Sequence, residues 1–193
     1  MEKVAAALYI ADLVFLISFQ FLNRDYRWFS HAVSDYGVGK TARLFKFYVV
    51  AGSIAAPLLA WQFWVAKNPG YPPMILVYLL LVMVGRLGIG FYPNDLRGTP
   101  RTKSGHMHHA ATLLASTCAY MTVAEATPLL AANASAQLFA ALTALKHVIS
   151  ADFIVVMVTI STPLRRFFGL AERVFLYAAA LWCLVASLTL PPV

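Results

Sequence analysis

A carboxylate and several histidines are concentrated in the segment 90–109, which reads GFYPNDLRGTPRTKSGHMHH. Asp95 follows one apolar run of the chain, and three histidines open the next apolar run. Zinc accepts imidazole nitrogen and carboxylate oxygen, and a zinc ion with three protein ligands and one open position makes its bound water acidic enough to attack an ester or amide. The candidate ligands are Asp95, His108 and a third histidine, which is His106, His109 or His147. The same groups could instead carry protons or hold a polar head group.

The spacing of these residues is not that of a recognised zinc motif, because the three neighbouring histidines lack an i, i+4 pair. In the alternative interpretation, Asp95 begins a turn with Gly98, and the histidines lie at the membrane interface. The polar segment that joins Asp95 to His108 is short, and Pro93 and Pro100 restrict its backbone. We therefore expect Asp95 and His108 to share one site.

A second polar element, SDYGVG at positions 34–39, follows the first apolar run. It offers a hydroxyl and a carboxylate, Ser34 and Asp35, which we expect to close the same site. In the alternative interpretation, these two residues cap a short helical turn.

The composition predicts the architecture that must position these residues. Of the 193 residues, 61% are hydrophobic and only 12% are charged, which is far from the composition of a soluble domain. The hydrocarbon layer of a bilayer is about 30 Å thick and needs roughly 20 apolar residues per helix. Such stretches occur at 3–22, 44–66, 74–92, 107–127, 136–161 and 172–190. We therefore predict an all-α polytopic membrane bundle of six transmembrane helices, in which residues 1–193 form a single integral membrane domain.

Membrane topology explains the formal charge of +7 better than nucleic acid does, because the 15 basic residues are spread over short loops without a patch of interleaved aromatic residues. Cytoplasmic loops carry an excess of Lys and Arg. The loops at 23–43, 93–106 and 162–171, with flanking residues, hold eleven cations, namely Arg24, Arg27, Lys40, Arg43, Lys46, Arg97, Arg101, Lys103, Arg165, Arg166 and Arg173. The opposite face holds Lys3 and Lys67. We predict a multi-pass protein of the cell membrane with both termini outside, and membrane lipid as its partner.

Ionisable residues inside the predicted helices are informative, because a charge within a bilayer costs several kcal/mol unless it is paired or hydrated. These residues are Asp12, Arg86, Lys146, His147 and Asp152. From their depths we predict that Asp12 pairs with Lys146. Arg86 is expected to pair with Asp152. His147 then remains as a residue that either donates to a backbone oxygen or binds a ligand.

The polarity of individual helices predicts their places in the bundle. The fifth helix is the most polar, so we place it at the centre, whereas the sixth has no interior charge and is expected at the periphery. On the fourth helix one continuous stripe, which must face protein or water, consists of His109, Thr112, Ser116 and Tyr120. Gly85, Gly88 and Gly90 on the third helix allow a neighbouring backbone to come close. Cys118 and Cys183 fall within predicted helices, where a disulfide is not expected.

Three motifs resemble those of a six-helix prokaryotic membrane family, the domain of unknown function 998 (DUF998). They are SDYGVG after the first helix, GFYPNDLRGTP after the third, and GHMH at the start of the fourth. Members of that family show I-S-x-L/Y-G, then G-x-F-P-x-D-x-x-G-x-P, and then G-x-x-H. The matching positions of this chain are Ser34, Asp35, Gly37, Gly90, Pro93, Asp95, Gly98, Pro100, Gly105 and His108. The resemblance implies a six-helix membrane protein but no particular activity.

A more distant similarity is to the alkaline-ceramidase and adiponectin-receptor-like membrane hydrolases. Those proteins gather Ser, Asp and His around zinc at the cytoplasmic ends of their helices. This chain differs from them because it has six predicted helices instead of seven and lacks H-x-x-x-H in the last one. The similarity suggests a class of reaction and assigns no ligands.

These observations give one preferred function and two alternatives. The preferred function is a metal-dependent hydrolase of a lipid ester or amide, with Asp95, His108, Asp35 and Ser34 at the site, and with His109 or His147 as further zinc ligands. The first alternative is a non-enzymatic lipid or small-molecule binding, sensing or transport protein whose cavity is lined by the fifth helix. In the second alternative, His147 and either His108 or His109 are axial ligands of haem.

Overall fold

The computed structural model describes residues 2–22, 26–66, 70–96, 98–161 and 163–191. Its six long helices are α1 (Glu2–Leu22), α2 (Ala42–Val65), α3 (Pro73–Phe91), α4 (Lys103–Leu129), α5 (Ala136–Ser161) and α6 (Phe168–Thr189). Each is long and apolar enough to cross a membrane, and the described residues contain no strand. The predicted all-α bundle of six transmembrane helices is confirmed, and the chain is an integral membrane protein.

Two helices begin four residues earlier than the apolar pattern predicts. We expected the fourth helix at residue 107, but α4 begins at Lys103 because the Thr102 hydroxyl accepts a hydrogen bond from the Gly105 amide and caps its first turn. We expected the sixth helix at residue 172, but α6 begins at Phe168.

Some of the cations used to predict the topology lie outside the described residues. They are Arg24, Lys67, Arg97 and the side chain of Arg165.

The six helices form a ring in which each packs against the next, and α6 closes the ring against α1. The glycines of α3 permit the closest of these contacts, as predicted. A Cβ atom at Gly85 would lie 2.8 Å from the Ala111 carbonyl oxygen on α4, and one at Gly90 would lie 2.8 Å from Val49 on α2. Even a small side chain at either glycine would therefore push α3 away from the neighbouring helix.

The predicted places of the fifth and sixth helices are wrong. In their most apolar stretches, 17% of the α5 residues are buried, compared with 44% of the α6 residues. The reason is that α6 contacts α1, α2, α4 and α5 and contributes the fully buried Trp182, whereas α5 packs mainly against α6 and α4. The polarity of a helix did not indicate how deeply it is buried. On α5, Lys146 is half-exposed and His147 is exposed.

Candidate functional site

The ring of helices encloses a cavity of about 550 Å³. Helices α4 and α6 contribute the largest shares of its wall, and the other four helices and the loops after α1 and α3 complete it. Much of the wall is apolar and includes Leu79, Val123, Phe175 and Leu176. Charged side chains occur at two levels, one deep between α1 and α3, and one at the end where the loops after α1 and α3 meet α4 and α6. We call the second level the cavity mouth, which consists of Ser34, Asp35, Asn94, Asp95, Arg101, His108, His109 and Glu172.

The deep polar level is an ion pair between Arg86 on α3 and Asp12 on α1. The guanidinium donates to both carboxylate oxygens, at 2.7 and 3.3 Å, and Nη2 also donates to the Tyr48 carbonyl oxygen at 2.9 Å. The guanidinium carbon lies 4.5 Å from the centre of the Tyr48 ring. Gly52 on α2 makes room for this group, because a Cβ atom there would collide with the guanidinium. The pair therefore ties three helices together.

Both predicted intramembrane ion pairs are wrong. Asp12 cannot pair with Lys146, because α6 lies between α1 and α5 in the ring. Arg86 cannot pair with Asp152, because α4 lies between α3 and α5. Depth along the bilayer placed these residues at compatible levels, but the order of helices around the ring decides which of them can meet.

At the mouth, Asp35 is 4% exposed and joins the loop that follows α1 to the loop that follows α3. One carboxylate oxygen accepts a hydrogen bond from the Ala32 amide at 3.0 Å, and the other accepts from Asn94 Nδ2 at 2.9 Å. The same Nδ2 donates to the Ser34 hydroxyl at 3.1 Å. Burial raises the pKa of Asp35, and these hydrogen bonds offset part of that rise. Asp35 thus holds a short 3₁₀ turn, Val33–Gly37, as one of the two interpretations predicted.

Asp95 organises the start of α4. Its two carboxylate oxygens accept hydrogen bonds from the Thr102 amide at 2.7 Å and from the Thr102 hydroxyl at 2.8 Å. These bonds lower the pKa of Asp95. A Cβ atom at Gly105 would collide with the Asp95 carboxylate, so the aspartate and the glycine of the motif fit each other. Gly98 lies in a turn with a φ of 90°, which a glycine adopts without strain.

His108 is 2% exposed and forms part of the cavity wall. Its Nδ1 lies 2.7 Å from the Tyr92 carbonyl oxygen, which can only accept. Nδ1 must therefore carry the proton, and in the neutral ring Nε2 is an acceptor. Nε2 is buried and has no hydrogen-bond partner, although the Ile89 carbonyl also lies near the ring. Asp95 and His108 line one cavity, as expected, but their hydrogen bonds go to Thr102 and Tyr92.

The described geometry gives no support to a three-ligand zinc site. No group of three His, Cys, Asp or Glu side chains among the described residues is close enough to hold a metal ion. His106 is exposed and His109 is half-buried at the mouth, whereas His147 is exposed on α5 and does not line the cavity. Both Asp95 oxygens accept hydrogen bonds from Thr102, and among the buried atoms of the proposed set that the structure describes, His108 Nε2 has no partner. The zinc and haem sites stay predictions.

The polar stripe predicted on α4 does face the protein interior. His109, Thr112 and Ser116 line the cavity. Tyr120 stacks on Phe153 of α5, with ring centres 4.9 Å apart. The stripe therefore places hydroxyl groups along the wall between the mouth and the deep ion pair.

Two charged residues at the predicted start of the sixth helix, which the sequence did not assign to the site, hold the mouth in place. Arg173 is 3% exposed, and its Nη1 donates to the carbonyl oxygens of Trp28, His31 and Gly169. The Glu172 carboxylate accepts a hydrogen bond from the Val33 amide and lines the cavity. The first loop is thereby fixed to the first turn of α6. The adjacent acidic and basic residues at the start of an apolar run were the signal in the sequence.

Comparison with known proteins identifies a family. Residues 4–189 match the family described as "Protein of unknown function (DUF998)". The chain belongs to the DUF998 family. No curated protein and no solved structure matches this DUF998 protein, so the distant similarity to the alkaline-ceramidase-like hydrolases gains no support. In the DUF998 chain, the motif residues Asp95, Gly105 and His108 form the joint between α3 and α4.

Proposed function

We propose that this DUF998 protein binds an amphiphilic small molecule, such as a lipid, inside its ring of helices and does not convert it chemically. The observation that supports the proposal is the cavity itself. Its volume of about 550 Å³ lies in the range of roughly 300–1,000 Å³ that is usual for small-molecule sites. Such sites are mostly apolar with a few placed polar groups, and this wall has that character.

The distribution of polar groups gives the bound molecule a direction. The polar mouth lies at the loop end, and a largely apolar wall, interrupted on α4 by the hydroxyls of Thr112 and Ser116, extends from it toward the Arg86–Asp12 pair. A polar head group at the mouth satisfies side chains there, while an apolar tail covers the wall and is removed from water. Because cations are concentrated in these loops, we infer that the mouth faces the cytoplasm and that both termini lie outside.

A hydrolase of a lipid ester or amide is the second candidate, and His108 supports it. A general base needs an accepting nitrogen whose tautomer is fixed by a hydrogen bond at the other ring nitrogen. The bond from Nδ1 to the Tyr92 carbonyl does this, and Ser34 and Asp35 line the same mouth. Release of fatty acid from labelled esters or amides by wild-type protein, and none by His108→Phe, would favour this candidate over pure binding.

A matched pair of variants tests the proposal that the molecule lies in the cavity. Ala119 on α4 lines the cavity, so Ala119→Phe fills part of it, whereas Ala144 on α5 is exposed and does not line it. Lipid extracts of wild-type protein and of Ala144→Phe, each purified in detergent, should contain about one amphiphile per chain, counted by mass spectrometry. Ala119→Phe should retain much less while keeping the melting temperature of the control. Equal amounts in all three proteins would contradict the proposal.

A further inference from the structure

The cavity mouth holds two hydrogen-bond acceptors whose orientation is fixed and which have no partner. Asn94 Nδ2 donates to Ser34 and Asp35, so the amide oxygen of Asn94 points away from them. That oxygen is buried without a partner, as is His108 Nε2. Leaving a buried polar atom without a hydrogen bond is unfavourable, so both atoms favour a ligand that donates.

Asn94 and His108 share a wall at the mouth of the cavity. Both line the main cavity, and both also line a smaller pocket of about 140 Å³ that adjoins Phe45 and Ile89. A single group bearing two or more N–H or O–H bonds can therefore satisfy them together, after a small movement of the side chains that now shield these atoms.

The charges around these acceptors disfavour an anion. Three carboxylates line the mouth, on Asp35, Asp95 and Glu172, and the arginine in its wall is Arg101, which is exposed to solvent. Arg173 does not line the cavity, although its charge acts on Asp35 and Glu172; its Nη1 donates to three backbone carbonyls, and its Nε and Nη2 have no partner among the described residues. Three carboxylates against Arg101 and Arg173 still leave an excess of one negative charge around the mouth. A phosphate or carboxylate head would bring a further negative charge and no N–H donor to the two acceptors.

We propose that the mouth selects amphiphiles whose head group is a hydrogen-bond donor without negative charge, and that a protonated amine on an alkyl chain binds best. This inference rests on the proposed binding of an amphiphile in the cavity and adds the chemistry of its head. An ammonium group provides three donors, which fits the two free acceptors and one neighbouring carboxylate. A hydroxyl provides one donor, so an alcohol of the same chain length should bind more weakly.

Three probes with one chain length test the selection on the wild-type, full-length protein. The probes are dodecylamine, dodecanol and dodecyl phosphate, each labelled and measured by equilibrium dialysis against protein-free micelles of the same detergent. Dodecylamine should bind at least about tenfold more tightly than dodecyl phosphate, with dodecanol between them. A tenfold ratio corresponds to about 1.4 kcal/mol, which is the size of a single hydrogen bond to a charged group.

A pair of histidine variants tests whether His108 contacts the head group. His108→Phe should weaken dodecylamine about tenfold and leave dodecyl phosphate unchanged within about twofold. His106→Phe, on the same helix but exposed and outside the cavity, should change neither probe. Equal binding of all three probes, or tightest binding of the phosphate, would overturn the head-group selection and leave amphiphile binding intact. Failure of every probe to exceed the micelle background would overturn amphiphile binding, and this inference with it.

Discussion

Removing one partner of the Arg86–Asp12 pair should destabilise the protein strongly, because the other charge would stay buried and uncompensated. In Asp12→Leu the guanidinium loses hydrogen bonds at 2.7 and 3.3 Å and keeps the Tyr48 carbonyl and ring. Breaking a buried pair from one side costs about 3–5 kcal/mol. Since part of the guanidinium environment remains, we expect a loss of about 3 kcal/mol in the free energy of unfolding, and a similar loss for Arg86→Met.

The double variant separates the contribution of the ion pair to stability from the cost of leaving one charge unpaired. Replacing a buried ion pair with apolar residues of similar volume is often neutral or stabilising. The free energy of unfolding of the double variant, Asp12→Leu with Arg86→Met, should therefore lie within about 1 kcal/mol of the wild-type value. Lys146→Met is the matched control, because Lys146 is a half-exposed cation on α5. It should change stability by less than about 0.5 kcal/mol.

The assay is reversible unfolding of purified protein in mixed micelles, followed by circular dichroism. Single variants that lose less than about 1 kcal/mol would refute the reasoning. A double variant whose loss equals the sum of the single losses would also refute it, because the two residues would then act independently.

Three further predictions concern the mouth and its orientation. Gly105→Ala should lower the melting temperature by a few degrees, because the new methyl group displaces the Asp95 carboxylate from Thr102 and weakens the cap of α4; an unchanged melting temperature would contradict this contact. The pKa of Asp95 is lowered on folding, so its stabilising effect should be constant from neutral pH down to about pH 5 and be lost as the pH falls through its folded pKa; a difference in stability between wild type and Asp95→Asn that already shrinks between pH 8 and 6 would speak against it. A cysteine at Arg101, in a variant without Cys118 and Cys183, should be protected from an impermeant thiol reagent in intact cells, and rapid labelling there would reverse the predicted topology.

The sequence predicted the six helices well, because the length of an apolar run is set by the thickness of the bilayer. It also predicted the close contacts of Gly85 and Gly90, since a missing side chain has a direct steric consequence. The beginnings of α4 and α6 were missed for a physical reason. Residues 102–104 are polar and end the apolar run before α4, although the Thr102 hydroxyl caps that helix. The arginines at 165 and 166 and Gly169 likewise lower the mean hydropathy just before and within the first turn of α6.

The ion pairs could not be predicted, because depth and polarity do not determine the order of helices in a ring. Arg86 reaches Asp12 only because α1 and α3 both flank α2 and Gly52 leaves room between them. The candidate site was predicted in part. Asp35, Asp95 and His108 do line one cavity, whereas His147, chosen for its depth, is exposed on α5.

The central claim, that an amphiphile lies inside the ring of helices, is tested most directly by mapping where a bound probe touches the chain. A dodecylamine that carries a diazirine on its alkyl chain is cross-linked to the wild-type protein, and the labelled residues are identified by mass spectrometry with and without excess unlabelled dodecylamine. We predict that the labelling removed by the competitor is on cavity-lining residues such as Thr112, Ser116 and Ala179. Competed labelling confined to outward-facing residues such as Ile154 and Leu188 would contradict the account.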